Sequence, residues 1–339
     1  MPSDAAFLLV SFGGPEGPAD VLPFLRNVTA GRNVPDERLA EVAEHYYQFG
    51  GVSPINEQCR ALLDAIARQF AAVGIDLPLY WGNRNWQPYL TDTVRNMAAN
   101  GVTRVVAFAT SAYSSYSSCR QYLGDIGRAV AEAGPGAPAV RKIPPYYAHP
   151  AFAAAFVASA RRALDELPAG VADRADLVFT AHSIPQQMSA ASGRSGGAYP
   201  AQLAEVAGHV ASSLGRQRWR LAYQSRSGPP AVPWLEPDIN ECLEDLAKTG
   251  SPGVVVVPIG FVSDHMEVIF DLDVEAAQTA RSLSLPMARA ATPGTDPGFV
   301  AMIAELAGSC LAGWPDVAPA SLGRAAAAFC GAGCCGSGR

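Results

Sequence analysis

Short apolar runs alternate along the chain with longer segments that have helical spacing. Runs such as AAFLLVSF at 5–12, TRVVAFAT at 103–110 and GVVVVPIGF at 253–261 are apolar almost without a break, which is typical of strands buried on both faces of a parallel sheet. The intervening segments, such as EQCRALLDAIARQFAAVG at 57–74, end at glycine, the expected stop of a helix. This alternation predicts βαβ units and therefore an α/β fold.

The strand-like runs fall into two groups, one before residue 115 and one after residue 174. A Pro-rich turn, KIPPYYAHP, and an Ala-rich helical segment lie between them. We therefore predict an N-terminal domain over 1–150 and a C-terminal domain over 151–295, with a cleft at the carboxyl ends of their strands, where open sheets bind ligands. We expect a helical return segment over 296–325 to pack on the N-terminal domain, followed by a Cys-rich tail over 326–339.

Composition and charge narrow the possible functions. The 339 residues are 49% hydrophobic and 17% charged, so the chain can bury two modest cores. The formal net charge of −6 argues against a nucleic-acid partner, since a polyanion requires a field of Lys and Arg, and favours a small ligand. No basic leader precedes the first strand and no apolar stretch approaches the ~20 residues of a membrane span. We expect a cytoplasmic monomer with no transmembrane segment.

His182 is one of five histidines and follows a buried strand in LVFTAHSIP, at 177–185. Pro185 prevents the strand from continuing, so the imidazole is predicted at the edge of the sheet where a cleft would open. A lone histidine beside an apolar strand is equally compatible with a satisfied core position. The segment by itself leaves both interpretations open.

Three carboxylates, Glu267, Asp271 and Glu275, follow the last long strand at the spacing i, i+4, i+8. On a helix this spacing puts them on one face, where like charges repel each other, and a solvated acidic face is the simplest interpretation. The intervening residues, such as Val268 and Phe270, are apolar, which instead indicates a mostly buried helix whose carboxylates line a cavity. Buried carboxylates require a cation or a proton, so this helix is a candidate path for a divalent ion or for protons.

Segments along almost the whole chain resemble the ferrochelatase family. In chain order they are LLVSFGGPEG, FGGVSPIN, AYSSYSSC, TAHSIP with His182, WRLAYQSRSGPPAVPWLEP, and SDHMEVIFDLD with Glu267. The resemblance implies two Rossmann-like domains, each a parallel sheet flanked by helices, and a lyase that inserts Fe2+ into a porphyrin in heme biosynthesis. Short bacterial members of the family are associated with coproporphyrin III, which predicts Fe-coproporphyrin III as the product.

The resemblance further implies that His182 and Glu267 face each other across the porphyrin pocket as the catalytic pair that handles the Fe2+ substrate. Metallation requires acceptance of two weakly acidic pyrrole N–H protons and delivery of a partly dehydrated ion. A neutral imidazole accepts a proton near pH 7 and also ligates iron, while a carboxylate offsets the ion's lost water. Asp271 and Glu275 match family positions with an accessory role in metal approach or proton removal. His265 is expected either to orient Glu267 or to cap the start of the helix.

Six further residues are expected at the porphyrin because they match family positions or lie beside them: Phe12, Arg32, Ser53, Arg84, Tyr122 and Trp234. Hydroxyls and guanidinium groups suit the propionates. Ser53 equally suits a helix N-cap, the two arginines the surface, and Trp234 a core position. Some bacterial relatives have tyrosine in place of Phe12; phenylalanine cannot ligate a metal, so we expect it to shape the pocket.

The last ten residues hold three cysteines, Cys330, Cys334 and Cys335, in a Gly-rich segment. Four-cysteine ligation suits Zn2+ or an iron-sulfur cluster, and incidental thiols in a disordered tail are the simplest alternative. Some ferrochelatases bind a 2Fe-2S cluster through three C-terminal cysteines and one internal cysteine. The resemblance therefore implies such a cluster, with Cys119 as the internal ligand and Cys310 as the second choice.

Two other functions remain open from the sequence. A cobalt or nickel chelatase of a related tetrapyrrole has the same fold and a His-plus-carboxylate site, usually with another histidine, which only His265 could provide here. A non-catalytic carrier of porphyrin or metal would bind in the same cleft without turnover. Turnover beyond one equivalent distinguishes an enzyme from a carrier.

Overall fold

The computed structural model describes residues 4–228, 231–314 and 334–337. Over these residues the chain forms two four-stranded sheets in which every neighbouring pair of strands is parallel. The first sheet has the order β2-β1-β3-β4 and is made of β1 (Ala5–Ser11), β2 (Leu79–Asn83), β3 (Arg104–Ala109) and β4 (Ala139–Lys142). The second has the order β6-β5-β7-β8 and is made of β5 (Asp176–His182), β6 (Trp219–Gln224), β7 (Val254–Val257) and β8 (Met287–Arg289).

Helices flank both sheets, as the predicted βαβ units require. The N-terminal half contains α1 (Pro18–Val28), α2 (Asp36–Tyr47), α3 (Ile55–Val73), α4 (Leu90–Ala99), a π-helical turn at Tyr116–Arg120, and α5 (Gln121–Ala133). The C-terminal half contains α6 (Pro150–Asp165), a 3-10 turn at Ala172–Arg174, α7 (Gln186–Ala190), α8 (Ala198–Ser213), α9 (Ile239–Lys248), α10 (Met266–Val268), a π-helix at Ile269–Ala276, α11 (Ala277–Ser282), and α12 (Pro297–Ala312).

The central strands are those that the apolar runs predict. Every residue of β1 and of β7 is buried, because helices cover both faces of a parallel sheet. The edge strands β4 and β8 are absent from the prediction. They have only four and three residues and are partly exposed, so they lack the continuous apolar pattern of a central strand.

Helix boundaries follow local chemistry. The helix α3 ends at Gly74, which has a φ of 74° and closes the helix in the left-handed conformation. The helix α9 begins with a capping box in which Asp238 accepts from backbone N–H groups of the first turn and Glu241 accepts from the N–H of Asp238.

The two halves share one core. The helix α12 follows the second sheet in the chain, yet it packs against both α3 and α6, and Phe299 contacts Phe108 of β3 edge to face at 6.1 Å. The Tyr113 hydroxyl, in the N-terminal half, donates to the carbonyl of Ile259 at 2.9 Å in the C-terminal half. Both contacts hold the carboxyl ends of the two sheets in a defined relation.

The helices α1 and α2 form a small apolar cluster that reaches across to the C-terminal half. Phe24 and Tyr46 belong to it, and so does Met266, the first residue of α10. His45 of α2 stacks on Phe270 of the π-helix with ring centroids 3.7 Å apart. This pair of helices therefore packs on the segment that carries Glu267. Within the described residues, no helix is long and apolar enough to cross a lipid bilayer.

Candidate active site

His182 is the last residue of β5, where the strand runs out of the sheet. Its Nδ1 lies against the carbonyl oxygen of Ser183, and since a carbonyl can only accept, Nδ1 carries the proton. The neutral ring therefore leaves Nε2 unprotonated. The Tyr199 hydroxyl donates to the His182 carbonyl at 2.9 Å and fixes the end of the strand. The His182 side chain is 33% exposed, so its Nε2 is open to a proton or a metal ion.

Glu267 lies next to His182 in the structure. The His182 Nε2 and the Glu267 Oε2 are 3.6 Å apart, and the Glu267 side chain is 49% exposed. The Nε2 of a neutral imidazole and a carboxylate oxygen are both acceptors, so a proton or a cation between them is favourable. Bonds of about 2.1 Å to each atom span up to about 4.2 Å, so one ion fits this separation.

His265 lies beside the same carboxylate. Its Nδ1 is 4.0 Å from the Glu267 Oε2. It occupies the N-cap position of α10, but its side chain makes no capping hydrogen bond, which removes one of the two predicted roles. Burial lowers the pKa of His265 below its ordinary value. A neutral imidazole therefore borders Glu267.

The helix that carries the acidic residues differs from the expected α-helix. After the short α10 it continues as a π-helix from Ile269 to Ala276, and only then as α11. The wider i→i+5 turn changes the spacing of the side chains along its face, and such segments occur often at functional sites. Apolar periodicity could not predict this, because the apolar pattern of an α-helix and of a short π-helical insertion is nearly the same.

Asp271 lies behind Glu267 and is held by two side chains. The Ser225 hydroxyl donates to its Oδ2, and the Gln224 amide donates to the same oxygen at 3.3 Å. Burial raises the pKa of Asp271 to about 7, and the charges of Glu267 and Glu275 act in the same direction. Asp271 is therefore able to exchange a proton near neutral pH.

Glu275 continues the acidic line. Burial raises the pKa of its carboxyl above the ordinary value, and the charge of Asp238 adds to this effect. Glu267 and Glu275 are exposed to solvent, and Asp271 between them is partly buried.

Sequence reasoning missed three side chains at this site: Tyr46, Gln224 and Ser225. Burial raises the pKa of Tyr46, and the charges of Glu267 and Asp271 raise it further, which brings this α2 hydroxyl within electrostatic range of both carboxylates. Gln224 is paired in register with His182 and ends β6 as His182 ends β5. The strand-end signal that identified His182 was therefore also available for Gln224 and Ser225.

Arg84, Tyr122 and Phe12 form a group in the N-terminal half. The Arg84 guanidinium lies 4.7 Å from the Tyr122 ring and 5.7 Å from the Phe12 ring. The Arg84 side chain is 7% exposed and is paired with Asp125, a carboxylate that also pairs with Arg128. The Tyr122 hydroxyl is buried 3.5 Å from the Thr110 hydroxyl. Arg84 is therefore a buried, ion-paired residue, and the surface position considered for it from the sequence does not apply.

Ser53, Trp234 and Arg32 are placed differently from one another. Ser53 is buried and packs against Gly14. A Cβ added to Gly14 would lie only 2.6 Å from the Cβ of Ser53. The N-cap of α3 is Pro54, so Ser53 is not its cap. Trp234 is buried, and its indole N–H finds no partner among the described residues. Arg32 is exposed in the loop between α1 and α2.

Of the four cysteines predicted as cluster ligands, Cys330 lies outside the described residues. Cys119 is buried in the π-helical turn at 116–120. The sulfurs of Cys334 and Cys335 are 3.7 Å apart, and the Gly193 N–H donates to the Cys335 sulfur at 3.2 Å. Within 4–228, 231–314 and 334–337, no three His, Cys, Asp or Glu side chains come together as a metal site.

The sequence of this chain is similar to those of known proteins. The sequence profile described as Ferrochelatase matches residues 4–310. The coproporphyrin III ferrochelatase of Streptomyces coelicolor is 51% identical, with 97% of this chain and 92% of that protein covered. That of Frankia alni is 56% identical over 89% and 78%, and a ferrochelatase of Rhodopirellula baltica is 53% identical over 90% and 86%.

Solved structures support the fold alone. SirB from Bacillus subtilis with Fe3+ has a TM-score of 0.56 at 12% identity, with 91% of this chain and 98% of that chain covered. The sirohydrochlorin chelatase SirB in complex with cobalt, from Bacillus subtilis subspecies spizizenii, has a TM-score of 0.53 at 10% identity, with 90% and 94% covered. The profile match over most of the chain and relatives of about 50% identity establish the assignment: this chain belongs to the ferrochelatase family.

Proposed function

We propose that this protein is a lyase that inserts Fe2+ into coproporphyrin III and forms Fe-coproporphyrin III in heme biosynthesis. Membership of the ferrochelatase family supports metal insertion into a porphyrin. The names of relatives at about 50% identity over most of the chain support coproporphyrin III as the porphyrin. The observation that carries the proposal is the pairing of His182 and Glu267 at 3.6 Å.

The pair supplies the two functions that insertion requires. The unprotonated Nε2 of His182 can accept a pyrrole proton or bind the ion, and the Glu267 carboxylate compensates the charge of an ion that has lost water. Two protein ligands suit a substrate ion, because its other coordination positions must be released to the four porphyrin nitrogens. A closed four-ligand protein site would retain the metal instead.

Asp271 and Glu275 support the removal of protons. A carboxyl with a pKa of about 7 is partly deprotonated at neutral pH, so Asp271 can accept a proton from the Glu267 side and release it again. Glu275 offers a further acceptor on the same helix. Fe2+ could approach along the same carboxylates. We therefore propose that Asp271 and Glu275 act in metal approach or in proton removal.

The porphyrin-contacting residues are proposed from family positions. Ser53 offers a hydroxyl, and Phe12 and Trp234 offer aromatic surfaces for the ring. Arg32, exposed near α2, is free to meet a propionate. Because Arg84 is buried, paired with Asp125 and packed over the Tyr122 ring, we propose that Arg84 and Tyr122 act together on the porphyrin side through the shape of their buried group.

Anaerobic mixing of the protein with Fe2+ and coproporphyrin III tests the function. Loss of the free-base visible bands over many equivalents is expected, and His182→Ala should lower the rate by at least about a hundredfold while porphyrin binding is retained. The control is His209→Ala, a histidine of α8 for which the proposal has no role. Full turnover by the His182→Ala protein would contradict the assignment.

The same assay separates the alternatives. Faster insertion of Co2+ or Ni2+ into a related tetrapyrrole would favour a cobalt or nickel chelatase. His265, 4.0 Å from Glu267, is the additional histidine that such an enzyme would use. Metal uptake that stops at one equivalent would indicate a carrier. Gel filtration and cell fractionation test the expectation of a cytoplasmic monomer.

We also propose a 2Fe-2S cluster held by Cys119, Cys330, Cys334 and Cys335. Two thiolates on one tetrahedral metal with bonds of about 2.3 Å lie about 3.8 Å apart, which is close to the 3.7 Å between the sulfurs of Cys334 and Cys335, so these two residues suit adjacent ligand positions. Insertion transfers no electrons, so a cluster would supply structural support or sensing of iron and redox state.

The surroundings of the two cysteine segments support Cys119 as the fourth ligand. Gln202 of α8 accepts from the Ser114 N–H at 2.8 Å, which holds the segment that leads to Cys119 against this helix. Gly193, which contacts Cys335, lies five residues before Ala198, the first residue of the same helix, and packs against it. Both segments therefore lie near the first turns of α8.

Visible absorbance and iron and sulfide analysis of the protein as isolated test the cluster. Two irons and two sulfides per chain are expected. Cys119→Ser should abolish the absorbance, whereas Cys310→Ser, the matched control, should retain it. A colourless protein that contains zinc would contradict the cluster, and loss of absorbance only in the Cys310 variant would move the internal ligand to that residue.

A further inference from the structure

Ser225 has an unusual backbone conformation at the end of β6. Its φ is 60°, in the left-handed region that residues with a side chain avoid because Cβ approaches the following carbonyl. Glycine adopts this conformation without strain, and asparagine does so more readily than serine. A strained non-glycine residue persists when the surrounding structure enforces it, and such residues cluster at functional sites.

The hydroxyl of Ser225 donates a hydrogen bond to the Oδ2 of Asp271. The preceding residue, Gln224, donates to the same oxygen at 3.3 Å and to the Glu267 carbonyl at 3.4 Å. Gln224 is also paired in register with His182, and the Ser183 N–H donates to its carbonyl at 2.8 Å. The turn after β6 therefore joins the strand that ends at His182 to the helix that carries Glu267 and Asp271.

We propose that Ser225 is a positioning residue for metal insertion: its strained backbone is retained because only this conformation aims its hydroxyl at the Asp271 carboxylate. Glycine would relieve the strain but removes the donor. The hydroxyl holds Asp271 in place behind Glu267 and favours its charged, proton-accepting form. This inference rests on the proposed function, since it assigns Ser225 a part in the same reaction.

The hydrogen bond from Ser225 opposes the other influences on Asp271. Burial, Glu267 and Glu275 favour the protonated carboxyl, while the Ser225 hydroxyl and the Gln224 amide favour the carboxylate. Tyr46 of α2 is a further titratable group that faces this carboxylate. Loss of the hydroxyl should therefore make Asp271 harder to deprotonate, and the acidic limb of the kcat–pH profile should move to higher pH.

Two substitutions separate the backbone from the hydroxyl. Ser225→Gly removes the donor and suits a φ of 60°, so Tm should be equal to or above that of the unmodified protein while kcat for Fe2+ insertion falls about tenfold or more. Ser225→Thr keeps the donor but adds a β-branch where it is least tolerated, so Tm should fall while kcat and the acidic limb stay close to the original values.

Ser284 provides the matched control. Its φ is 52°, and it lies in an exposed turn before β8, at the end of the C-terminal sheet away from the site. Ser284→Gly should affect Tm as Ser225→Gly does, with kcat unchanged. The pair of glycine variants thus compares the same backbone change with and without the contact to Asp271.

Each outcome decides the inference. We expect a low kcat and a shifted acidic limb in Ser225→Gly, whereas Ser225→Thr should keep the kcat and the acidic limb of the unmodified protein. If Ser225→Gly inserts iron as fast as the unmodified protein, or if Ser225→Thr loses as much kcat as Ser225→Gly, Ser225 has no positioning role, although the proposed function stands. If the unmodified protein inserts no metal into coproporphyrin III, the proposed function fails and this inference fails with it.

Discussion

At the scale of single residues, Asp271 links the chemistry of the site to stability. Its carboxyl has a pKa of about 7 in the folded protein and an ordinary value of 3.8. Between these values the folded state binds more protons than the unfolded state, so the free energy of unfolding falls as pH rises from about 4 to about 7. Asp271→Asn removes this buried charge. We expect the variant to be more stable than the original protein at pH 8 by about 1–4 kcal/mol, no more stable at pH 4, and slower in iron insertion. Urea unfolding at both pH values checks this, with Asp92→Asn, in an exposed pair with Arg95, as the control; a gain independent of pH would contradict it.

At the scale of elements, Arg289 of β8 fastens the helix that carries Glu267. Its guanidinium pairs with Asp264, before α10, at 3.2 Å and with Asp273, in the π-helix, at 2.6 Å, and its side chain is 18% exposed. Lysine cannot reproduce two bidentate contacts. We therefore expect Arg289→Lys to lower the free energy of unfolding by about 1–3 kcal/mol and to raise the KM for Fe2+, measured by urea unfolding and by insertion kinetics. In the control Arg220→Lys, whose pair with Asp245 is exposed, the loss should stay below about 0.5 kcal/mol. Equal losses in both variants would show that Arg289 is an ordinary surface cation.

At the scale of the whole molecule, the site depends on how the two halves are joined. Tyr113 donates to the Ile259 carbonyl across the halves at 2.9 Å, whereas Tyr146 donates to the Ala109 carbonyl within the N-terminal half at 3.1 Å. Both rings are buried, so each Tyr→Phe change removes a buried hydrogen bond. The Ala109 carbonyl still accepts from the Ser111 N–H at 2.7 Å, so Tyr146→Phe should cost about 0.5–1.5 kcal/mol, whereas loss of the Tyr113 donor should cost about 1–3 kcal/mol. Only Tyr113→Phe should also lower kcat/KM for insertion, because Ile259 lies in the segment directly before Gly260, which packs on Ala181 next to His182. Thermal unfolding and steady-state kinetics of the two variants check this, and equal kinetics would mean that the junction does not set the site.

The sequence by itself determined the α/β class, the buried central strands and the identity of the acidic residues, because these depend on local apolar periodicity and on residue chemistry. It also indicated that His182 ends a strand. Only the tertiary structure decided that His182 and Glu267, 85 positions apart, lie 3.6 Å from each other, since that distance depends on how β5 and the segment after β7 pack. The tertiary structure also decided three further features: the π-helix, the pairing of Arg84 with Asp125 and the left-handed backbone of Ser225. Each results from contacts between distant segments, which impose conformations and partners that local sequence preference does not favour.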